Sequence, residues 1–426
     1  MIPDTFFSAS DLTFVKDRLP AVEAAIRGNL LEFSGCKHPI PIAGACYRGI
    51  WMEHNQDWLF LADIAPESAW AAVELFMEHQ KENGLFPALV SVERVASYRQ
   101  IQSVWPFARC AFEIAKKLGR GEADLKRIYQ ASAAFDKWLG EFRDHKKLGL
   151  VEMFCEFDTG HDNSPRVTDG GLPPNVEPDA GVMPELEIMP ILAADLSAMR
   201  YQGRVAMSEM AALLNEEKEA AFWREQAEIT RSSIKKYLYD PEDDYYYDVD
   251  SSGKFRKYRT EHITRLYLNE VVEQDEFDRQ YKRYFEDPEQ FATPFPFPSV
   301  AVSDPSFVKE LPNNCWGGNT QALTALRASM WMPRYGKSDE RARLLKKWLR
   351  AFIDYDSPLP QELNPFTGAP IGTVWSTCPD CLFSKRQPNC CSGKTFSAKN
   401  GKRDPSCRGG TDRSSFAAAG CGRSAN

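Results

Sequence analysis

Two short segments of this chain carry more reactive side chains than turns and solvation require. The first runs Cys155-Glu156-Phe157-Asp158-Thr159-Gly160-His161-Asp162-Asn163-Ser164-Pro165-Arg166, with three acids, an amide, two hydroxyls and a guanidinium. The second, some 200 positions on, is Gln361-Glu362-Leu363-Asn364-Pro365-Phe366-Thr367-Gly368. One acid on each of two loops can cleave a glycosidic bond. A protonated carboxyl donates to the departing oxygen, and an ionised one across the ring activates water, with about 6.5–9.5 Å between them. Each acid also has a plain reading. Asp162 ahead of Ser-Pro could be a turn or N-cap acid, and Glu362 after Pro360 a solvated one. Asp158 is a second candidate for the acid's role. Arg166 reads as holding the loop or a sugar hydroxyl.

The elements that must position these residues are mostly helices. Leu125, Ile128, Tyr129, Phe135, Trp138, Leu139 and Phe142 recur at three- and four-residue steps and predict a helix over 122–143. The same spacing predicts helices over 67–80, 187–214, 217–238 and 338–353. Less regular ones are expected near 11–33, 51–63, 101–118, 256–271 and 316–332. Strand signals are sparse; Tyr245-Tyr246-Tyr247-Asp248-Val249 before Ser251-Ser252-Gly253 reads as a hairpin arm. Pro-rich connections over 157–186, 286–314 and 356–374 exceed ordinary loop lengths and are rich in Trp, Phe, Asn and acids, as functional loops are. Long loops gathered at one end of a helical scaffold describe an α/α toroid with a central pocket.

Bulk composition narrows the rest. The 426 residues are 43% hydrophobic and 26% charged, as in a globular protein, and the net charge of −8 argues against nucleic acid as the main partner. No apolar run predicts a membrane span, and the first ten residues lack a secretory pattern, so the expected location is cytoplasmic. No Pro/Gly/Ser linker interrupts 1–377, which reads as one domain. From Cys378 onward the composition changes. Six of the eleven Cys fall there, Leu382 is its only Val, Ile, Leu or Met, and nine Lys and Arg face three Asp. The rest of the chain therefore carries −14. A tail of this kind cannot bury enough apolar surface to order itself, and 378–426 is expected to be disordered or to stem from another reading frame. Its Cys-x-x-Cys lacks a partner pair at zinc spacing and a nearby His, so no metal is expected.

The order of the motifs resembles glycoside hydrolase family 63 and the related mannosylglycerate and glucosylglycerate hydrolases, and more distantly the trehalases. The carriers are Trp51-Met52-Glu53-His54, Gly160 to Arg166, Cys315-Trp316-Gly317-Gly318-Asn319 and Glu362 to Gly368, with Thr293 to Val300 as a further segment. The resemblance spans roughly 45–377. It implies an all-α (α/α)6 toroid and an inverting mechanism, with Asp162 as general acid and Glu362 as general base. The chain departs from the pattern at Met52-Glu53, where Trp-Asp is typical, and at Gly318-Asn319. Family members continue past the Trp375-Ser376 element into a last apolar helix, which is expected to be missing from this chain. Candidate substrate contacts are Trp51, His54, Gln56, Asp158, Asn163, Arg166, Trp316, Gly317, Gln321 and Trp375. The expected activity is exo-type hydrolysis of a small α-glucoside or α-mannoside without a cofactor, with a small carbohydrate as partner and neither nucleic acid nor membrane. Rival readings are a sugar 2-epimerase, which would need paired His at the barrel mouth, and a non-catalytic sugar-binding fragment.

Overall fold

A computed structural model describes residues 7–44, 47–310, 314–357 and 360–374; the 378–426 segment and Trp375 lie outside these residues. The fold is predominantly helical. The described helices are α1 Ala9–Gly28, α2 Asn55–Leu61, α3 Pro66–Glu78, α4 Phe107–Lys117, α5 Glu122–Phe142, α6 Pro165–Thr168, α7 Ala194–Leu213, α8 Glu217–Tyr237, α9 Ile263–Leu268, α10 Gln274–Gln280, α11 Ala322–Trp331 and α12 Ser338–Tyr355. None is long and apolar enough to cross a membrane.

The helices divide by burial. α4, α7 and α9 are covered on nearly all faces, and α7 achieves this with small residues such as Ala194, Ser197, Ala198, Gly203 and Ala206, which let neighbours approach. α5, α8 and α12 bury one stripe and solvate the other, as their three- and four-residue apolar spacing predicted. The covered helices pack in succession, α2 on α4, α4 on α7, α7 on α9 and α9 on α11, with α5 and α8 outside α7 and α12 outside α11. From α11, Arg327 reaches back to the carbonyl of Glu53 and to Gln56 at the start of α2.

The chain is mostly helical, as expected, and short strands add to the helices. The described residues include fourteen short strands in five antiparallel sheets. Most have two or three residues, too few for a period-two pattern to register, and Val151–Met153 and Ile191–Ala193 are buried on both faces. The helix predicted over 187–214 begins only at Ala194, because Pro190 biases the preceding residue away from helix and Ile191–Ala193 pairs as a strand instead. The connection over 356–374 contains the hairpin Pro360–Leu363/Pro370–Val374. α10 and the π-helical turn Tyr281–Phe285 were not foreseen.

These strands have a common placement. Gly49–Trp51 leads through a 3₁₀ turn into α2, Ile191–Ala193 leads into α7, and Thr320–Gln321 leads into α11. They collect where covered helices begin, an end whose unpaired N–H groups favour carboxylates. Asp195 sits in the first turn of α7, Glu261 just ahead of α9 and Glu53 just ahead of α2.

Candidate active site

Glu362 is held by strand pairing. Thr320–Gln321 runs antiparallel to Pro360–Leu363, with Gln321 directly across from Glu362. The carboxylate is 0% exposed and accepts four hydrogen bonds. Oε1 takes the Cys315 N–H at 2.8 Å and Gln321 Nε2 at 2.7 Å; Oε2 takes the Asn314 N–H at 2.8 Å and Asn319 Nδ2 at 3.1 Å. Burial lifts its pKa above the ordinary range, and the four donors act against that lift. N–H groups can only donate, so these four favour the ionised form against the effect of burial.

Asp162 has a different setting. Gly160 turns the chain two residues earlier at φ +66°, and a Cβ there would overlap the Glu53 carboxylate, so only glycine fits. Asp162 Oδ2 accepts Asn314 Nδ2 at 3.1 Å; its Oδ1 is buried with no hydrogen-bond partner among the described residues. Its pKa is pushed up to about 7, first by loss of solvation, then by the charge of Glu53, with smaller contributions from Glu156 and Glu362 and opposed by the Asn314 bond.

The two acids meet through residues 314–316. Asn314 bonds both carboxylates, and the Trp316 N–H donates to the Asp162 carbonyl at 3.1 Å. Two hydrogen bonds plus the reach of one asparagine keep the bonded oxygens within about 10 Å of each other. The loop around Asp162, the end of the 286–314 connection and the Glu362 hairpin therefore converge.

Behind this pair lies a buried ionic layer. Arg166 forks onto Asp195 (2.7 and 2.9 Å) and Asp248 (2.7 and 2.9 Å) and contacts His161 Nδ1 at 3.0 Å. His161 Nε2 meets Glu261 at 2.7 Å, and Arg265 joins Glu261 to Asp195. Burial, with Arg265 and Arg166 nearby, drives the His161 pKa down to about 3, so its ring is neutral. Trp316 packs on His161 with ring centroids 4.9 Å apart and lies beneath the Arg265 guanidinium.

Several expected substrate contacts turn out to belong to the walls. Arg166 is 1% exposed and commits its fork to Asp195 and Asp248. Asp158, 0% exposed, is bound by Arg143 and by the N–H groups of Ile101, Phe154 and Cys155, so it does not compete with Asp162. Trp316, 3% exposed, offers little face to a sugar. Gln321 is not inside a helix but on a strand, and its amide serves Glu362 and the Cys315 carbonyl. Gly317 is required by contact, since a Cβ there would lie 2.5 Å from Val308. Asn163, at φ +57°, donates to the Asn314 carbonyl at 2.7 Å. Gln56 is buried between Asp57 and Arg327. Trp51 and His54 are part-exposed and tilt against each other. Trp375 lies outside the described residues.

Three residues went unrecognised. Glu53, 4% exposed, is bonded by Gln102 at 3.1 Å and Arg327 at 3.3 Å and overhangs Gly160. It stood in view as a departure from Trp-Asp, and its acid was the missed signal. Arg327 and Asn314 had no local signal, because their partners are 47 to 274 positions away. Among the described residues no group of three or more His, Cys, Asp or Glu could hold a metal ion.

Similarity to known proteins gives the class of this helical scaffold with its two unlike carboxylates. Residues 58–380 match the family described as mannosylglycerate hydrolase MGH1-like glycoside hydrolase domain, and the chain belongs to this family of glycoside hydrolases. Mannosylglycerate hydrolases MGH1 and MGH2 of Selaginella moellendorffii are each 28% identical over 149 residues, 29% of this chain and 30% of theirs. The chain thus matches less than a third of those relatives' length. The fold is that of the GH63 mannosylglycerate hydrolase from Thermus thermophilus in complex with glucose, at TM-score 0.67, 17% identity, 84% of this chain and 96% of the other. Neutral trehalase Nth1 from Saccharomyces cerevisiae is similar at TM-score 0.60 and 15% identity, over 83% and 77% of the two chains.

Proposed function

We propose that this chain is an inverting, exo-acting glycosidase of a small α-glycoside, with Asp162 as general acid and Glu362 as general base on an (α/α)6 toroid. The observation that carries this reading is the asymmetry of the two acids. The Asp162 side chain has one hydrogen bond among the described residues and a pKa of about 7, so much of it keeps a proton up to neutral pH. Glu362 has four N–H donors and, among the described residues, no acceptor, so its oxygens are suited to take one. The toroid is supported by the succession of covered helices with amphipathic partners outside, and 1–377 is read as a single domain.

In the reaction, Asp162 protonates the departing oxygen as the anomeric C–O bond breaks. Water attacks from the opposite face and gives its proton to Glu362. Each oxygen of Glu362 already accepts two bonds, so the water displaces a side-chain donor, Asn319 or Gln321, rather than a backbone one. Glu53 and the part-exposed Trp51 and His54 form the side of the site where sugar hydroxyls are expected. Structures of the Thermus thermophilus relative are described in complex with glucose and with D-glycerate, which brings sugar–glycerates to the front of the substrates to test.

The experiment is a hydrolysis screen of mannosylglycerate, glucosylglycerate, disaccharides and 4-nitrophenyl α-glycosides, with proton NMR of the first-formed anomer. The expected result is inversion, and loss of at least about 10²-fold in kcat for Asp162→Asn and for Glu362→Gln, the low end for acid–base catalysis. Retained configuration overturns the mechanism. Near-normal turnover in either variant overturns that residue's role.

A further inference from the structure

We propose that Asn314 is a positioning residue that decides which oxygen of Asp162 carries the proton delivered to the leaving group, acting through the chain Gln361–Asn314–Asp162. The inference rests on the acid–base reading above. Gln361 Nε2 donates to Asn314 Oδ1 at 3.2 Å, which turns the Asn314 amide nitrogen toward Asp162 Oδ2, 3.1 Å away. An amide N–H only donates, so Oδ2 is an acceptor whether or not Asp162 is protonated. The proton is left to Oδ1, which is buried and has no hydrogen-bond partner among the described residues. A carboxyl O–H without a competing acceptor is available to the glycosidic oxygen. As that C–O bond breaks, its oxygen takes the Oδ1 proton, and the water that forms the new C–O bond gives its own to Glu362.

The same residue touches the neighbours of both acids. Its carbonyl accepts from Asn163 Nδ2, Gln361 precedes Glu362, and its own N–H binds Glu362 Oε2. Its φ of +51° lies in the left-handed region, where asparagine and glycine are at ease. Asn314→Gly therefore keeps the backbone bond to Glu362 and removes only the carboxamide.

The test uses the full chain with two probes, mannosylglycerate, whose leaving group needs protonation, and 4-nitrophenyl α-mannoside, whose leaving group does not. Asn314→Gly should lose about tenfold in kcat/KM on the first and little on the second, less than the roughly 10²–10⁴-fold of a whole proton-transfer contribution, because the acid itself stays. The alkaline limb of its pH profile should move up, because the lost bond favoured ionised Asp162; the acidic limb should stay. Gln361→Leu, which frees the amide to rotate, should move the same limb by less. It carries the test alone if Asn314→Gly does not melt cooperatively. Equal losses on both probes with an unmoved alkaline limb overturn the proposal and leave Asn314 a merely structural residue. Asp162→Asn separates the two ideas. If it turns over mannosylglycerate normally, the acid assignment falls; if it is inactive there while Asn314→Gly and Gln361→Leu keep the parent profile, only this inference falls.

Discussion

The Asp162 loop and the Glu362 hairpin present the same functional group in opposite settings. Asp162 follows a left-handed glycine, is only part-buried, and keeps one side-chain hydrogen bond. Glu362 lies on a paired strand, wholly buried, with four donors. The difference teaches that a carboxyl's role follows from what solvates it. Desolvation beside Glu53 favours the protonated form of Asp162, and a ring of N–H groups favours the ionised form of Glu362.

The contrast breaks most directly on leaving-group dependence. Asp162→Asn should lose about 10²–10⁴-fold on mannosylglycerate or another poor leaving group and much less on nitrophenyl glycosides, whereas Glu362→Gln should fail on both, since water attack needs a base whatever departs. Parallel losses in steady-state rates across both aglycones would merge the two roles. A stability test probes the layer beneath both acids. Arg166→Met leaves Asp195 and Asp248 buried without their shared cation and should cost about 3–5 kcal/mol in denaturant unfolding. A smaller effect is expected from Gln321→Leu, which takes one donor from Glu362. The base pKa should rise, and the acidic limb of the kcat/KM profile should move up, with a loss of about tenfold.

The pH profile sharpens the acid side. A general acid with a pKa of about 7 should lose activity as pH rises through that value, and Glu53→Gln, which removes the neighbouring charge, should move this limb to lower pH. An unmoved limb would exclude Glu53 as the cause. The smallest effect concerns folding. The Asp162 pKa is raised in the fold, so between about 4 and 7 the native state binds more protons and stability falls as pH rises. Asp162→Asn should therefore raise Tm more at pH 8 than at pH 4; an equal change at both would mean that the desolvated charge does not weaken the fold.

The scaffold was readable wherever its periodicity was long. The helix expected over 122–143 lies at Glu122–Phe142, and that over 217–238 at Glu217–Tyr237, because amphipathic helices write their buried stripe locally. Helices covered on all sides gave blurred limits: 256–271 shrank to Ile263–Leu268, since a segment buried all round has no stripe. The acids themselves stood out through composition and motif order, yet of the expected sugar contacts Arg166, Asp158 and Trp316 proved committed to the walls. Their types suit either job, and only their neighbours distinguish them.

What the amino-acid order settled alone is therefore the helical class, the family resemblance and the pair of acid-bearing segments, all of which depend on residues close together in the chain. Which acid sits beside another carboxylate with a single side-chain donor and which is ringed by four depended on contacts across tens to hundreds of positions: Glu53 over Gly160, Gln321 across from Glu362, and Asn314 between both carboxylates. Charge regulation acts through a few ångströms of space, and only folding brings those groups within that distance.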